Sequence, residues 1–280
     1  MLVETRHTDF GFEQVKWQRL ANDVFKPPVF RMLFSTLVGF GAQCVAVAFC
    51  MVQMVTISNL LDMNTRQWLY VSFFIITALF GCIAGYTSAR FYKFFNGSNW
   101  FLNFFMTATL LPMMMFVASI AIDFGDFYDG NRNQIPSSER TNLMSFWICM
   151  NMPNVAIGQW IGYRDKKILP PVKPSRIARP LPSCCEVPFY AQWWFTMLVF
   201  STFTAGCVIL ELWYLVTSLW RRQYYFMYFY LGVSLVMMAY VASAASIIQS
   251  YLSLSAGLYN WWWRSFSMGF FVSIPLFLFC

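Results

Sequence analysis

Residues 32–57 read MLFSTLVGFGAQCVAVAFCMVQMVTI, a segment without a single charged side chain. A helix needs about 20 apolar residues to cross the roughly 30 Å hydrocarbon core of a bilayer, so this segment is long enough to span it. Because lipid offers no hydrogen bonds, every backbone N–H and C=O group must be paired within the protein, which requires a helix here. Five further apolar segments of bilayer length follow, and a shorter seventh reaches residue 280. The sequence therefore predicts an all-α fold, a polytopic transmembrane helix bundle with six full spans and a truncated seventh.

The predicted spans are joined by short polar segments. A cytosolic N-terminal arm, residues 1–31, precedes them and ends in Lys26-Pro27-Pro28, where proline prevents a helix from continuing. The multi-span domain covers residues 32–280. Its longest joint, residues 164–192, contains six prolines, and we expect it to form an extended strap along the membrane surface. The predicted spans are residues 32–57, 68–88, 100–122, 142–163, 195–220, 224–252 and 265–280.

The composition supports a membrane protein. Of the 280 residues, 59% are hydrophobic, 20% are aromatic and only 11% are charged, whereas a soluble domain carries roughly 25% charged residues. The formal net charge of +7 does not indicate a nucleic-acid partner, because the basic residues stand between the spans. In that position they set membrane topology and contact anionic lipid.

The basic residues concentrate in alternate joints. Fourteen of the 19 lysines and arginines lie in the arm, in the turns at 90–98 and 253–264, and in the 164–192 joint. The positive-inside rule assigns these joints, with the N-terminus, to the cytosol. The acidic loop 123–141 then faces the lumen or the exterior. The sequon Asn96-Gly97-Ser98 falls on the cytosolic side, so we expect it to carry no glycan.

One acidic residue, Glu211, lies deep inside a predicted span. A charge near the bilayer centre costs about 2.5–3.5 kcal/mol on insertion scales, so this carboxyl group should face the bundle interior, either protonated or paired with polar groups. A proton or substrate site is one interpretation, and a structural hydrogen bond between helices is the other. The candidate neighbours are polar residues of the spans: Gln43, Gln53, Asn151, Asn154 and Gln249.

The fourth span contains Asn151-Met152-Pro153-Asn154. Proline inside a helix frees a backbone carbonyl and kinks the helix, and broken helices line binding sites in transporters, although a kink can also be purely structural. Glu211, Asn151, Pro153, Asn154 and Gln43 therefore form the candidate intramembrane polar site. The sequence shows no nucleophile elbow, phosphate loop, metal-ligand set or pair of carboxylates. We accordingly expect neither an enzyme nor a bound cofactor or metal.

Two pairs of glycines are spaced four residues apart, Gly81 with Gly85 and Gly158 with Gly162. Small residues at this spacing let transmembrane helices approach each other closely. We interpret both pairs as structural.

Several longer motifs occur in order along nearly the whole chain. DVFKPP at 23–28 precedes the first span, AGYTSARFYK at 84–93 ends the second, ILEL at 209–212 lies in the fifth, and YNWWWRSF at 259–266 precedes the seventh. In this order they resemble the motifs of the transmembrane 9 superfamily, the nonaspanins. The matching residues include Pro27, Pro28, Gly85, Tyr86, Arg90, Tyr92, Lys93, Trp261 and Trp263.

The resemblance implies a role in sorting or localising other membrane proteins in Golgi and endosomal membranes. Its implied partners, besides the bilayer, are client transmembrane helices, notably glycine-rich ones. It also implies that this chain lacks the lumenal N-terminal domain, the first helix and the last helix of the family. Two other interpretations stay open: a proton-linked transporter or channel that uses Glu211, and a non-functional truncated copy, which the full-length transcript would reveal.

Overall fold

The structure, a computed structural model, describes residues 20–60, 66–128, 137–172 and 187–279. All regular secondary structure in these residues is helical, which confirms the all-α class. After a helical segment at 20–24, the helices in chain order are α1 (Arg31–Leu60), α2 (Arg66–Phe94), α3 (Trp100–Tyr128), α4 (Ser137–Arg164), α5 (Trp193–Trp220), α6 (Tyr224–Ser255), α7 (Trp261–Phe271) and α8 (Ser273–Phe279), with a 3₁₀ turn at Phe189–Ala191.

Within the described residues, five helices are long and apolar enough to cross a membrane, and they match the first, second, third, fifth and sixth predicted spans. These segments are Arg31–Ser58, Val71–Phe94, Trp100–Ala121, Trp193–Trp220 and Phe226–Ser255. The fourth predicted span also forms a helix, α4, which has 28 residues. It is not among the five apolar segments because polar residues open it and recur along it. A sixth full span therefore stays a prediction.

Some helices extend beyond their predicted bounds. α3 continues to Tyr128 and α4 begins at Ser137, so both take residues from the predicted loop 123–141. α7 begins at Trp261, so the three consecutive tryptophans open a helix instead of lying in a turn. A helix pairs its own backbone groups, which favours continuing it through the membrane interface. Most of the predicted arm, residues 1–19, and about half of the 164–192 strap, residues 173–186, lie outside the described residues.

The seventh segment is divided into two short helices, α7 and α8, at Val272. Pro275 explains the break, because it has no N–H to donate to the carbonyl of Phe271 and its ring clashes with that carbonyl. Proline is tolerated in the first turn of α8, whose own amides have no helical partner there. Neither helix alone is long enough to cross a bilayer.

The chain divides into two compact units. The N-terminal unit, Phe30–Leu169, contains α1 to α4, and α2 is its central helix because it packs most extensively against its neighbours, above all α1 and α4. The buried face of α2 is built from small residues: Ala84, Ser88 and Ala89 have no exposed surface. Small side chains bring the helix backbones close together, which maximises van der Waals contact where lipid provides no hydrophobic driving force.

The C-terminal unit comprises Met1–Val29 and Pro170–Cys280. In its described part, α5 and α6 pack along each other, and α7 packs against both. The turn between α5 and α6 is as short as predicted, which makes the two helices antiparallel. The core is a cluster of Met197, Ala245, Met268 and Val272.

α2, α5 and α6 end in the same kind of turn. The second residue after the end of each helix is left-handed: Asn96 and Arg222 with φ 56° each, and Gly257 with φ 79°. This is the Schellman arrangement, in which the next amide satisfies a carbonyl that the helix leaves unpaired. The bonds, each 3.0 Å long, run from Gly97 N to Tyr92 O, from Gln223 N to Ser218 O and from Leu258 N to Ser253 O.

Candidate functional site

The two glycine pairs face each other between α2 and α4. A Cβ atom built on Gly85 would lie 2.2 Å from the carbonyl oxygen of Val155, and one on Gly158 would lie 2.0 Å from that of Cys82. Both distances are far below a van der Waals contact, so only glycine fits at either position. The structural interpretation of these pairs is confirmed, because Gly85, Gly158 and Gly162 each meet backbone atoms of the opposite helix and Gly81 meets its side chains.

Asn151 and Gln43 meet in the interior of the N-terminal unit, and both are buried. Asn151 Nδ2 donates to the carbonyl oxygen of Ala108 at 3.1 Å, while Gln43 Nε2 donates to that of Thr77 at 2.9 Å and approaches Asn151 Oδ1 at 3.5 Å. Gly81 makes room for this amide, since a Cβ there would lie 2.4 Å from Asn151 Oδ1. The pair therefore links all four helices of the unit and serves as packing glue.

Pro153 and Asn154 are placed differently from Asn151. α4 runs unbroken through Pro153, which is exposed, so the helix has no unwound stretch at that position. Asn154 Nδ2 donates to the carbonyl oxygen of Met150 at 3.0 Å within its own helix. Gln53, another candidate neighbour of Glu211, is exposed.

Glu211 is half-buried on α5, and its Oε2 atom is fully enclosed. No described residue forms a hydrogen bond with that oxygen. Gln249 is not its neighbour: Gln249 Nε2 lies 3.6 Å from Met197 Sδ, and Met197 is about 21 Å from Glu211 along the helix. The hydrogen bonds of Gln43 and Asn151 lie within the N-terminal unit. Glu211 is thus the one member of the predicted site with an unsatisfied buried oxygen among the described residues.

The family-motif residues of α2 hold the end of α4. Lys93 Nζ donates to the carbonyl oxygens of Tyr163 and Asp165, both at 2.6 Å. Arg90 Nη1 donates to the carbonyl oxygen of Lys166 at 2.5 Å, and Tyr86 OH donates to Asp165 Oδ2 at 3.0 Å. Positive charge at the C-terminal end of a helix is favourable because the last carbonyls carry partial negative charge.

Tyr92, the fourth motif residue of α2, supports the turn that follows this helix. Its side chain is only 3% exposed, and its hydroxyl oxygen accepts the amide N–H of Asn99 at 3.0 Å. A Cβ on Gly97 would lie 2.1 Å from the Tyr92 ring. The motif residues of α2 therefore hold the ends of two helices and the turn that follows α2.

In the C-terminal unit, the three tryptophans of α7 form hydrogen bonds with the backbone of the arm. The indole N–H groups of Trp261, Trp262 and Trp263 donate to three backbone carbonyls on the two sides of Pro27 and Pro28. These bonds are Trp261 Nε1 to Val24 O at 3.0 Å, Trp262 Nε1 to Lys26 O at 3.1 Å and Trp263 Nε1 to Val29 O at 2.7 Å. The prolines keep this segment out of a helix, which leaves its carbonyls available as acceptors.

The joints that carry most of the basic residues meet within each unit. In the N-terminal unit, Arg31 Nη1 donates to the carbonyl oxygens of Phe95 and Asn96, and the 90–98 turn contacts the start of the 164–192 joint. In the C-terminal unit, Arg264 Nη1 donates to the carbonyl oxygen of Ala191 at 3.2 Å, next to the tryptophans that bond to the arm. Within each unit, the joints that carry the basic residues therefore meet at one end of the helices, as their alternation along the chain requires.

Sequence reasoning missed a second polar cluster in the N-terminal unit. Asn103 has no exposed surface and lies at its centre. Asn103 Nδ2 donates to Ser88 Oγ at 3.1 Å and to Tyr163 OH at 3.3 Å, and Ser35 Oγ donates to Asn103 Oδ1 at 3.2 Å. An asparagine inside an otherwise apolar run was the available signal. Arg264 and Trp262 were also overlooked, because the sequence does not show which carbonyls their donors reach.

Helices of bilayer length, polar side chains buried between them and basic, aromatic-rich joints define a polytopic helical membrane protein. The comparisons with known proteins agree with this class. The sequence model of the family described as Endomembrane protein 70 matches residues 3–280. The chain belongs to this family, and its relatives are transmembrane 9 superfamily members, which confirms the resemblance drawn from the motifs.

Two relatives illustrate the similarity. Transmembrane 9 superfamily member 2 of Mus musculus is 28% identical over 95% of the chain, and the match covers 40% of the mouse protein. Transmembrane 9 superfamily member 10 of Arabidopsis thaliana is 27% identical over 96% of the chain, covering 42% of the plant protein. The chain thus spans about two fifths of the length of these curated relatives. No solved structure matches it.

Proposed function

We propose that this protein acts in sorting or localising other membrane proteins, by binding their transmembrane helices within the bilayer at Glu211. The observation that carries the proposal is the half-buried side chain of Glu211, whose enclosed Oε2 atom has no hydrogen-bond partner among the described residues. Because no described bond holds that oxygen in place, the side chain can turn its carboxyl group toward a helix that docks on α5. An unpaired carboxyl group in hydrocarbon is costly, so a helix that forms a hydrogen bond with it gains affinity. Membership of the family supports the role in sorting.

The surface of α5 near Glu211 leaves room for another helix. Cys207, one turn before Glu211 on the same face of α5, is exposed. Small residues beside a polar group are the combination that lets two transmembrane helices pack closely and bond. A glycine-rich client helix fits this surface best, because its backbone can approach the carboxyl group without side chains intervening.

Replacing Glu211 with leucine is expected to reduce client capture by about five- to thirtyfold, since an interhelical hydrogen bond in model peptides is worth roughly 1–2 kcal/mol. The measurement is co-purification of two single-span reporters that differ only in their transmembrane helix, one glycine-rich and one all-leucine. Thr217→Leu is the matched control, because the Thr217 hydroxyl already donates to the carbonyl oxygen of Trp213 at 2.8 Å. Unchanged capture of the glycine-rich reporter by Glu211→Leu would remove Glu211 from the proposal.

The Glu211→Gln variant separates this proposal from proton-linked transport. Glutamine keeps the hydrogen-bonding side chain but cannot exchange a proton, so glycine-rich reporters should still co-purify. A pH-dependent solute flux in proteoliposomes that Glu211→Gln abolishes would favour the transporter instead.

We also propose that the protein resides in Golgi and endosomal membranes with its N-terminus in the cytosol. The charge bias between alternate joints supports this orientation. Within each unit the basic joints contact one another, as expected for joints on the same side of the membrane.

The orientation predicts that Asn96 carries no glycan. Peptide N-glycosidase treatment of the protein from a eukaryotic membrane should leave its gel mobility unchanged. The variant Asn133→Thr creates a sequon at Asn131, in the loop predicted to face the lumen, and should gain a glycan. A glycan on Asn96, or the opposite result for the two sites, would invert the orientation.

A further inference from the structure

Two neighbouring cavities lie in the C-terminal unit, and neither takes part in the proposed client site. The first, here called the polar cavity, has a volume of about 440 Å³. Tryptophans and prolines form much of its lining, and it is named after the polar side chains among them: Lys26, Asn260, Arg264 and Ser267. The second, here called the apolar groove, has a volume of about 520 Å³ and lies between α5, α7 and α8. Its lining includes Met197, Leu198, Phe271 and Ile274. Trp193 lines both, so the cavities adjoin.

One face of α7 leads from the polar cavity into the apolar groove. Arg264 and Ser267 line the former and Phe271 lines the latter, at helical spacings of three and four residues. Arg264 and Phe271, seven positions apart, are separated by about 10 Å along the helix. A charged mouth followed at this depth by an apolar channel has the layout of a phospholipid, whose phosphate lies at the membrane interface and whose chains extend inward.

We propose that the C-terminal unit binds one anionic phospholipid, with its headgroup in the polar cavity beside Arg264 and Lys26 and an acyl chain in the apolar groove. Charge complementarity selects an anionic lipid. Asp23 does not make the charge of the polar cavity negative, since it pairs with Lys26 at 2.7 Å, is 4% exposed and does not line the cavity. Arg264 stays at the mouth through its bond to the Ala191 carbonyl oxygen.

The start of α7 adds to the attraction for phosphate. Asn260, the residue that precedes this 11-residue helix, makes no side-chain capping bond within the described residues, and the first turn contains no acidic residue. The amides of the first helical turn carry partial positive charge, which favours a phosphate group near them. The aromatic lining suits the interfacial depth at which lipid headgroups lie. The charge distribution predicts that this end faces the cytosolic leaflet, the leaflet that carries anionic lipid.

The test uses the full chain reconstituted in nanodiscs that contain equal parts of phosphatidylserine and phosphatidylcholine with identical acyl chains. Native mass spectrometry then counts the lipids that each chain retains. We expect one tightly retained lipid and about a fivefold preference for phosphatidylserine, the size of one basic residue's effect near an anionic surface. Arg264→Gln should remove the preference, whereas Arg264→Lys should keep it.

Two further variants make the result specific to this site. Leu198→Trp fills the apolar groove from a 61% exposed position without touching Arg264, so phosphatidylserine retention should fall to the level of phosphatidylcholine. Arg164→Gln removes an exposed arginine of the N-terminal unit and should change nothing. The proposal is overturned if Arg264→Gln and Leu198→Trp both retain the wild-type preference, or if Arg164→Gln weakens it as much as Arg264→Gln does.

Discussion

Replacing Gly158 with alanine should lower the free energy of unfolding by about 2–3 kcal/mol, the upper part of the range for overpacking a well-packed interior. The added Cβ would lie 2.0 Å from the carbonyl oxygen of Cys82 and 2.9 Å from its Cα atom. These are backbone atoms of α2, so no side-chain rotation relieves the clash. The two helices must move apart, and the contacts of Gly85 and Gly162 across the same interface loosen with them.

Gly41→Ala is the matched control for this prediction. Gly41 lies in α1 of the same unit, and a Cβ there would meet no atom within 4 Å. Because alanine is the better helix former, this variant should be neutral or gain about 0.5–1 kcal/mol. Unfolding in SDS titrations measures both. Equal stability of the Gly158→Ala and Gly41→Ala proteins would mean that the close approach of α2 and α4 does not exist.

Gly85→Ala offers an additivity test. Its Cβ would lie 2.2 Å from the carbonyl oxygen of Val155 on the opposite helix. Once one alanine has separated the helices, the second clash is partly relieved. The double variant with Gly158→Ala should therefore be less destabilised than the two single variants added together, as expected for coupled residues in contact.

Lys93→Met is the second large effect, with an expected loss of about 2–3 kcal/mol, because bonds from a charged donor contribute more than neutral ones. Methionine keeps the apolar stem but removes the ammonium group that donates to the carbonyl oxygens of Tyr163 and Asp165. Those carbonyls lie at the C-terminal end of α4, where the helix itself offers no donor. SDS unfolding should show the loss, and Lys93→Arg should restore part of it by keeping a cation there.

Lys166→Met controls for the loss of one positive charge at this end of the N-terminal unit. The Lys166 side chain is exposed, and only its backbone carbonyl accepts a described bond, from Arg90. Its replacement should leave stability unchanged. If Lys93→Met and Lys166→Met behave alike, the motif lysine does not hold α4 and its role lies elsewhere.

Reasoning from the sequence reached the glycine pairs and the motif residues but not the way the polar residues are grouped. Gln43, Asn151 and Gln249 were expected beside Glu211. Instead, Gln43 and Asn151 bond to each other and to carbonyls of their own unit, and Gln249 approaches Met197. The Asn103 cluster was not expected. Residue type identifies a polar group that needs a partner in lipid, but it does not say which helix supplies that partner.

The sequence alone determined the class of fold and the family. Hydrocarbon leaves a spanning segment only the helix as a way to pair its backbone, so length and hydropathy were sufficient for five of the spans. The order of the motifs was sufficient for the family. The exact ends of α3, α4 and α7 were not predictable, because a helix continues into the interface without any change in hydropathy that would mark the residue where it stops.

The tertiary structure decided which faces meet. The spanning helices are apolar almost all round, so periodicity does not indicate which side is buried. Helix rotation is instead set by shape, through glycines that admit an opposing backbone and donors that reach particular carbonyls. Only the tertiary structure shows that Lys93 reaches the end of α4, that Glu211 lies away from Gln249 and that the two cavities follow α7. Each of these depends on distances between residues far apart in the chain.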